Sequence, residues 1–252
     1  MVKFNQNRKK WGIIMYYTNR FDEILKILQK KGNTSVHYLS KQLFVSEPTI
    51  RRDLTELEKQ GKIKRTFGGA VYCEVLNIEL PLSLRENTDI SAKKEIAEKA
   101  SKHLKSGQVL FLDASSTVSY LIPYILKLDN MTIVTNSPKL SLELAKNNIN
   151  SLSTGGIMLN NSIAYVGSYA EKFILDFNAD IIFFSCRGVS DDGFLTDSSI
   201  EESSIRRVML SKSNKKIFLC ASNKIGKKYM NNICHLNDID EMITEKGNEG
   251  IL

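Results

Sequence analysis

From about position 20 to 60, apolar residues recur every three or four places. From about position 109 they gather instead into short runs between polar turns. The first pattern belongs to helices with one buried face, the second to strands buried on both faces. Phe21, Ile24, Leu25 and Leu28 predict a helix over about 20–31, with Asn19 as its cap and Gly32 as its stop. Ser35 opens a second, short helix with Val36, Leu39 and Leu43 facing inward, and Phe44-Val45 closes a tight connection. Ser46 then caps a third helix. Glu47 and Pro48 suit its first positions, and Ile50, Leu54 and Leu57 recur at i, i+4 and i+7. Gly61 ends it, and Ile63–Val71 reads as two extended pieces around a Gly68-Gly69 turn.

Residues 73–90 read as a linker, with Pro81 and the alternating polarity arguing against a regular helix before about Ala92. A helix over about 91–105 turns Ile96, Ala97, Ala100 and Leu104 inward. The apolar runs Val109–Leu112, Thr132–Thr135, Ser151–Thr154, Ile181–Ser185, Lys216–Cys220 and Glu241–Thr244 predict six strands. Helical stretches through Tyr120, Leu121 and Ile125, through Leu140, Leu144 and Ala145, and over 201–210 fall between them. The alternation predicts an α/β domain over 91–252, with a largely parallel sheet covered on both faces. Such sheets hold ligands beyond the carboxyl ends of their strands.

Charge divides the chain at nearly the same place. Its 252 residues leave room for one large domain or two smaller ones. The formal charge is +7, but residues 1–72 hold 15 Lys and Arg against 6 Asp and Glu, while 73–252 hold 20 against 22. A basic head on a near-neutral body suits a polyanion-binding module joined to a part with another task. Residues 1–19 are expected to be a disordered or basic arm, with Met15 as an alternative start. Cys73, Cys186, Cys220 and Cys234 lie far apart, and with His37, His103 and His235 scattered no metal site is expected. Free thiols and no apolar run of membrane-spanning length point to a cytoplasmic protein without a membrane partner.

Helix, short helix, turn, capped helix and hairpin over 20–72 is the order of a winged helix-turn-helix. Buried Ile50, Leu54 and Leu57 would leave Ser46, Glu47, Thr49, Arg51 and Arg52 to meet the major groove of double-stranded DNA. Each arginine can read guanine or clamp phosphate. Lys64, Arg65, Gly68 and Gly69 form the wing, where the two cations meet backbone phosphate. The run Val45-Ser46-Glu47 with Thr49–Leu54, then Leu57-Glu58, Gly61, Arg65 and Gly68-Gly69-Ala70, closely resembles the signature of DeoR-type transcriptional regulators. Those are winged helix-turn-helix proteins, mostly repressors of sugar or sugar-derivative metabolism.

In the body, Asp113, Ser115, Ser116 and Thr117 follow a strand and open a helix, a phosphate cradle of hydroxyls and N–H groups. Asn136-Ser137 and Gly155-Gly156 repeat the situation at the next two strand ends, and Arg187-Gly188 and Lys224 follow the fourth and fifth. Arg187 and Lys224 would be cationic partners for an anion. Glu202 can pair with Arg206 on the surface of its helix or point into the pocket. The body also resembles the DeoR effector domain, whose fold is related to ribose-5-phosphate isomerase and the coenzyme A transferases. That resemblance implies a phosphorylated sugar or related anionic metabolite as effector. It maps the family's loops onto Asp113, Ser116-Thr117, Thr135-Asn136-Ser137, Gly155-Gly156, Gly188, Gly193, Thr196-Asp197, Glu202 and Lys224. Ser115 stands where the family has glycine, Ala221 where it has aspartate and Ile225 where it has phenylalanine.

The expected molecule is a ligand-controlled repressor working as a homo-oligomer, dimer or tetramer, on paired operator half-sites, with no cofactor and no catalytic residue. The alternative is a sugar-phosphate isomerase-like enzyme with an accessory DNA-binding domain. Asp113, Asp191, Glu202 and Lys224 would be its candidates. Their spacing singles out none, and the basic head has no use in that reading.

Overall fold

Residues 20–31, 33–59, 62–72 and 81–247 are described in the computed structural model of the chain, and they divide between Ile78 and Glu79 into two units. The proposed N-terminal arm, the Met15 start, the Asn19 cap, the Gly32 and Gly61 stops and Cys73 lie outside the described residues.

In the first unit, α1 (20–31), α2 (Val36–Leu43) and α3 (Glu47–Lys59) close on Ile24, Leu28, Val36, Leu39, Ile50, Leu54 and Leu57. Each such side chain contributes roughly 1.5–3 kcal/mol by leaving water. Ser35 caps α2 by accepting the Tyr38 N–H at 3.1 Å, and Phe44 ends it in the left-handed region at φ 53°. A three-stranded antiparallel sheet completes the unit: β1 (Asn33–Ser35), β2 (Ile63–Thr66) and β3 (Gly69–Tyr72), in the order β1-β3-β2. The wing turn is Phe67-Gly68, so Gly69 belongs to a strand and not to the turn. There β1 crosses so closely that a Cβ on Gly69 would lie 2.3 Å from the Thr34 carbonyl oxygen.

The second unit begins with a helix where extended linker was expected: α4 (Leu82–Glu86) follows directly on Pro81. Proline is tolerated at a helix start, and it breaks a helix only from inside. Next come α5 (Ile90–Ser101), β4 (Val109–Leu112), a 3₁₀ turn (Val118–Leu121), α6 (Ile122–Ile125), β5 (Thr132–Thr135) and α7 (Pro138–Lys146). They are followed by β6 (Ser151–Ser153), a hairpin of β7 (Ile157–Leu159) and β8 (Ala164–Val166), and α8 (Ser168–Leu175). The chain continues through β9 (Ala179–Phe184), β10 (Gly188–Val189), β11 (Phe194–Asp197), α9 (Ile200–Ser211), β12 (Ser213–Leu219), β13 (Asn231–His235) and β14 (Glu241–Ile243).

Six strands form one parallel sheet in the order β14-β12-β9-β4-β5-β6. Leu110, Leu112, Ile133, Phe183 and Leu219 pack on one face against α5, the 3₁₀ turn, α6 and α7. Phe111, Val134, Ile182, Phe184 and Phe218 pack on the other against α8 and α9. That alternation is why these strands read as unbroken apolar runs. The small antiparallel sheet β10-β11-β13 lies on the α9 side and was not expected. From β4 the chain runs outward one way through β5 and β6. It then returns to lay β9 on the other side of β4, so the strand order reverses between β4 and β9.

Candidate functional site

On the head, α3 presents its start and one polar face to solvent. Ser46 accepts the Thr49 N–H at 3.4 Å, and its hydroxyl lies 2.8 Å from that of Thr49. Glu47 accepts from Arg51 at 2.8 Å and lies 3.0 Å from His37 Nδ1. Arg51 and Arg52 are exposed. Arg65 joins the wing to α3: its backbone N–H donates to Glu58 at 2.8 Å and its guanidinium to Thr55 at 3.0 Å. Beneath this face Asp53 is buried and takes two hydrogen bonds from Arg20 of α1, at 2.6 and 2.9 Å. Lys64 lies in β2 and Gly68 at the wing tip beside a fully exposed Phe67. An exposed helix face carrying Arg51 and Arg52 and braced by a wing suits a phosphate-lined groove.

In the second unit a cavity of about 150 Å³ opens beyond the carboxyl ends of β4, β9 and β12. That is the point of strand reversal, where a parallel sheet leaves a crevice. Ser115 and Ser116 line it from the β4 end, Ser185, Cys186 and Arg187 from the β9 end, and Ala221, Asn223 and Lys224 from the β12 end. Behind them Arg206, 3% exposed, reaches from α9 to three carboxylates: Asp113 at 2.7 Å, Asp197 at 2.8 Å and Glu202 at 3.4 Å. Burial opposes the charge, but Asp197, Asp113 and Glu202 outweigh it and hold the guanidinium pKa above its ordinary value. Glu202 and Arg206 do pair at i,i+4, in the interior and not on the helix surface.

Arg206 and Asp197 are thus satisfied by each other and by their neighbours. The other charged groups among the described lining residues are Arg85, Lys93, Arg187, Lys224 and Asp89. Lys224 Nζ donates to the Ser185 hydroxyl at 2.8 Å and the Cys186 carbonyl at 2.7 Å, leaving a third donor for a ligand. Burial lowers its pKa from the usual lysine value. Burial and the neighbouring Lys224 bring Lys93 down to about 8. The Cys186 thiol is pushed up by burial and donates to the Gly188 carbonyl, so it is no nucleophile. Arg187 stacks 5.2 Å from the Tyr229 ring and donates to Ser198 at 3.0 Å.

Several expected residues lie elsewhere. Asn136 and Ser137 follow β5, and Gly155 and Gly156 follow β6, on the far side of the strand reversal and outside the cavity lining. Ser137 caps α7 by accepting the Leu140 N–H at 3.2 Å. Asn136 donates to the Tyr165 carbonyl at 3.1 Å, tying β5 to β8. Asp113 sits behind the cavity wall on Arg206, and Thr117 is buried beside it in sequence, its hydroxyl without a hydrogen bond among the described residues. Gly188 is required by packing, since a Cβ there would lie 2.3 Å from the Lys227 carbonyl oxygen. Arg85, Lys93, Ser185, Asn223 and Tyr229 line the cavity without having been singled out for it. The described residues bring together no group of histidines, cysteines and carboxylates able to hold a metal ion.

Residues 20–75 match the family model of the DeoR-like helix-turn-helix domain, and residues 88–246 that of the DeoR C-terminal sensor domain. The protein belongs to the DeoR family. This DeoR-family chain is 35% identical over 234 residues to the HTH-type transcriptional regulator YulB of Bacillus subtilis, covering 92% of this chain and 90% of that one. It is 32% identical to the regulator GlpR of Haloferax volcanii, over 92% of this chain and 91% of that one. The L-fucose operon activator of Escherichia coli is 31% identical, over 90% and 94%. Ribose 5-phosphate isomerase A of Methanocaldococcus jannaschii superposes on 56% of each chain with a TM-score of 0.42 and 16% identity, too slight a likeness to argue from. As a member of this family the protein is a DNA-binding transcriptional regulator, with a winged helix-turn-helix in its first unit and a sensor domain in its second.

Proposed function

We propose that this regulator represses a sugar or sugar-derivative operon and is released by a phosphorylated sugar held in the sensor cavity. The observation that carries this reading is the cavity at the strand reversal, where, among the described residues, Lys93, Arg187 and Lys224 line the wall with one carboxylate, Asp89. An excess of partly buried cations is costly without an anion and favours a ligand that brings two charges. Ser115, Ser116 and Asn223 offer hydroxyl and amide partners for the polar remainder of such a ligand. Ala221 offers none, which leaves more room and one acceptor fewer than an aspartate would. Relatives named for the L-fucose operon and for the lactose phosphotransferase system, each 31% identical, support a sugar-linked role, the first as activator and the second as repressor.

The sensor acts by binding and not by catalysis in this reading. Of the carboxylates an isomerase could draw on, Asp113 and Glu202 are engaged by Arg206 together with Asp197, and Asp191 is exposed outside the cavity lining. The heads work in pairs, because one recognition helix reads too few bases for a specific site, so the protein acts as a dimer or tetramer in the cytoplasm. Among the described residues no helix is long and apolar enough to cross a membrane. A thermal-shift screen of sugar phosphates beside their parent sugars tests the ligand class. Stabilisation by one or more phosphates, absent with the parent sugar and lost in Lys224→Ala, is expected; stabilisation by the parent sugar alone contradicts it.

A further inference from the structure

The wing of the head carries one large side chain that the fold does not use. Phe67 stands fully exposed in the turn between β2 and β3, outside the apolar cluster of the head. Single exposed apolar residues are ordinary on a protein surface, so exposure alone decides nothing. Two other observations do. The turn is pinned on both sides: Arg65 donates from its backbone N–H to Glu58 at 2.8 Å and from its guanidinium to Thr55 at 3.0 Å, and the Gly68 carbonyl accepts the Val36 N–H of α2 at 2.8 Å. The turn also lies beside the recognition face, since Thr55 stands one helical turn from Arg51 and donates to its carbonyl at 2.8 Å. Gly68 and Gly69 follow without side chains, so the ring is the bulk of the tip.

We infer that Phe67 is an apolar wedge that the wing inserts into the minor groove next to the major groove held by α3, giving the protein a preference for a base step that unstacks readily. A helix is about 10–12 Å across and the major groove about 12 Å wide, so an element packed beside α3 falls over the flanking phosphates onto the neighbouring minor groove. Arg65 precedes the ring by two residues, roughly 7 Å of strand, so a cation at the phosphate line leaves the ring at the groove edge. A phenyl ring can neither clamp phosphate nor hydrogen-bond a base. In a minor groove it packs on sugars and presses between base pairs, partly unstacking them and bending the duplex. That deformation costs least at TA and CA/TG steps, so the ring reads sequence through deformability. The pinned turn holds the ring ready, and little freedom is lost on binding. The occupant is DNA and not protein because the ring continues the face that carries Arg51 and Arg65, on a head with 15 Lys and Arg against 6 Asp and Glu over residues 1–72.

The test uses the full-length protein and the duplex it footprints upstream of its own gene. Anisotropy reads affinity, energy transfer between the labelled ends reads the bend, and permanganate reads unstacked thymines. The wild-type complex is expected to bend the duplex and to make a thymine reactive at a flexible step flanking each α3 contact. Phe67→Ala should weaken binding about tenfold, the loss of one aromatic contact with a base, and should remove the reactivity and most of the bend. It should leave the thermal unfolding of the free protein unchanged, and also the slope of log affinity against log salt, because no phosphate contact is lost. Phe67→Leu should keep most of the bend. Phe67→Lys should steepen the salt slope without restoring the reactivity. Affinity and bend unchanged in Phe67→Ala, or a wild-type complex with no reactive thymine, overturn the inference. So does recovery of both affinity and bend in Phe67→Lys. A free protein that unfolds several degrees lower in Phe67→Ala would show the ring packing on protein, which also overturns it.

Discussion

Both units present cations, and they do so in opposite geometries. On the head Arg51, Arg52 and Arg65 stand on a convex, wet surface, and Arg51 and Arg65 are held in place by Glu47, Thr55 and Glu58. In the sensor, Lys93 is buried and Lys224 half-buried at the mouth of a parallel sheet, and desolvation has lowered both pKa values. A convex array costs little to fold but is screened by salt, and it gains selectivity only from groove shape and base edges. A concave array costs stability when empty and gains discrimination when filled, because few ligands supply the missing charge. The supports differ in the same sense. Among the described residues Asp53 anchors Arg20 in the head, whereas three carboxylates hold Arg206 behind the cavity.

The largest expected effect breaks the sensor's support. Arg206→Ala leaves Asp113, Asp197 and Glu202 buried together, and should cost about 3–5 kcal/mol in denaturant unfolding of the second unit. A loss below 1 kcal/mol would mean that water already reaches the cluster. The double substitution Arg51→Ala and Arg52→Ala comes next, with operator binding weakened roughly a hundredfold, on the order of 1–3 kcal/mol per arginine, and the circular-dichroism melt unchanged. Binding that survives it puts the recognition face elsewhere. Asp53→Ala removes the two charge-assisted hydrogen bonds that Arg20 donates inside the head, so about 2–3 kcal/mol of head stability should be lost, less than for Arg206→Ala. Reversal of that ranking contradicts the contrast drawn between the two supports.

The smallest effect is on pH. Lys93 titrates near 8 when folded against an ordinary 10.5, so the folded state sheds its proton first and this residue's contribution to stability rises as pH climbs from about 8 towards 10.5. Anion binding runs the other way and should weaken about tenfold between pH 7 and pH 9. The groups facing Lys93 are Lys224, Asp89, Arg85 and Glu86. Of these Lys224 is also lowered by burial, and Lys93→Met should flatten the step near pH 8. A sugar phosphate, with a second pKa of about 6, stays largely dianionic over that range, and a flat isotherm series with it in the wild type would place Lys93 outside the binding charge.

How much of this was legible follows from how local each signal is. The head could be read closely, because its helices, cap and hairpin are set by residues within a few positions of one another, as with Ser35 on Tyr38 or Ser46 on Thr49. The six parallel strands were legible as apolar runs, since both of their faces are covered. Short antiparallel pieces such as Gly188–Val189 and Ile157–Leu159 were not, being too brief to carry a period. Helix α4 was hidden by a proline that in fact precedes it.

At the cavity, every strand end with small polar residues looks alike in sequence, and only the strand order separates Ser115 and Ser116 from Asn136 and Gly155. Arg206 looked like a surface partner of Glu202 because its other carboxylates lie 93 and 9 positions away. Lys93, in the run Lys93-Lys94-Glu95, looks solvated until α4 and the β12 end are brought beside it.

The central claim is that cavity occupancy sets the affinity of the head for DNA. Fluorescence anisotropy on the operator recovered by footprinting upstream of the protein's own gene measures this directly, with and without the sugar phosphate that gives the largest thermal shift. The expected result is a loss of DNA affinity of at least tenfold on adding the ligand, absent in Lys224→Ala. A ligand that stabilises the protein yet leaves operator affinity unchanged would contradict it.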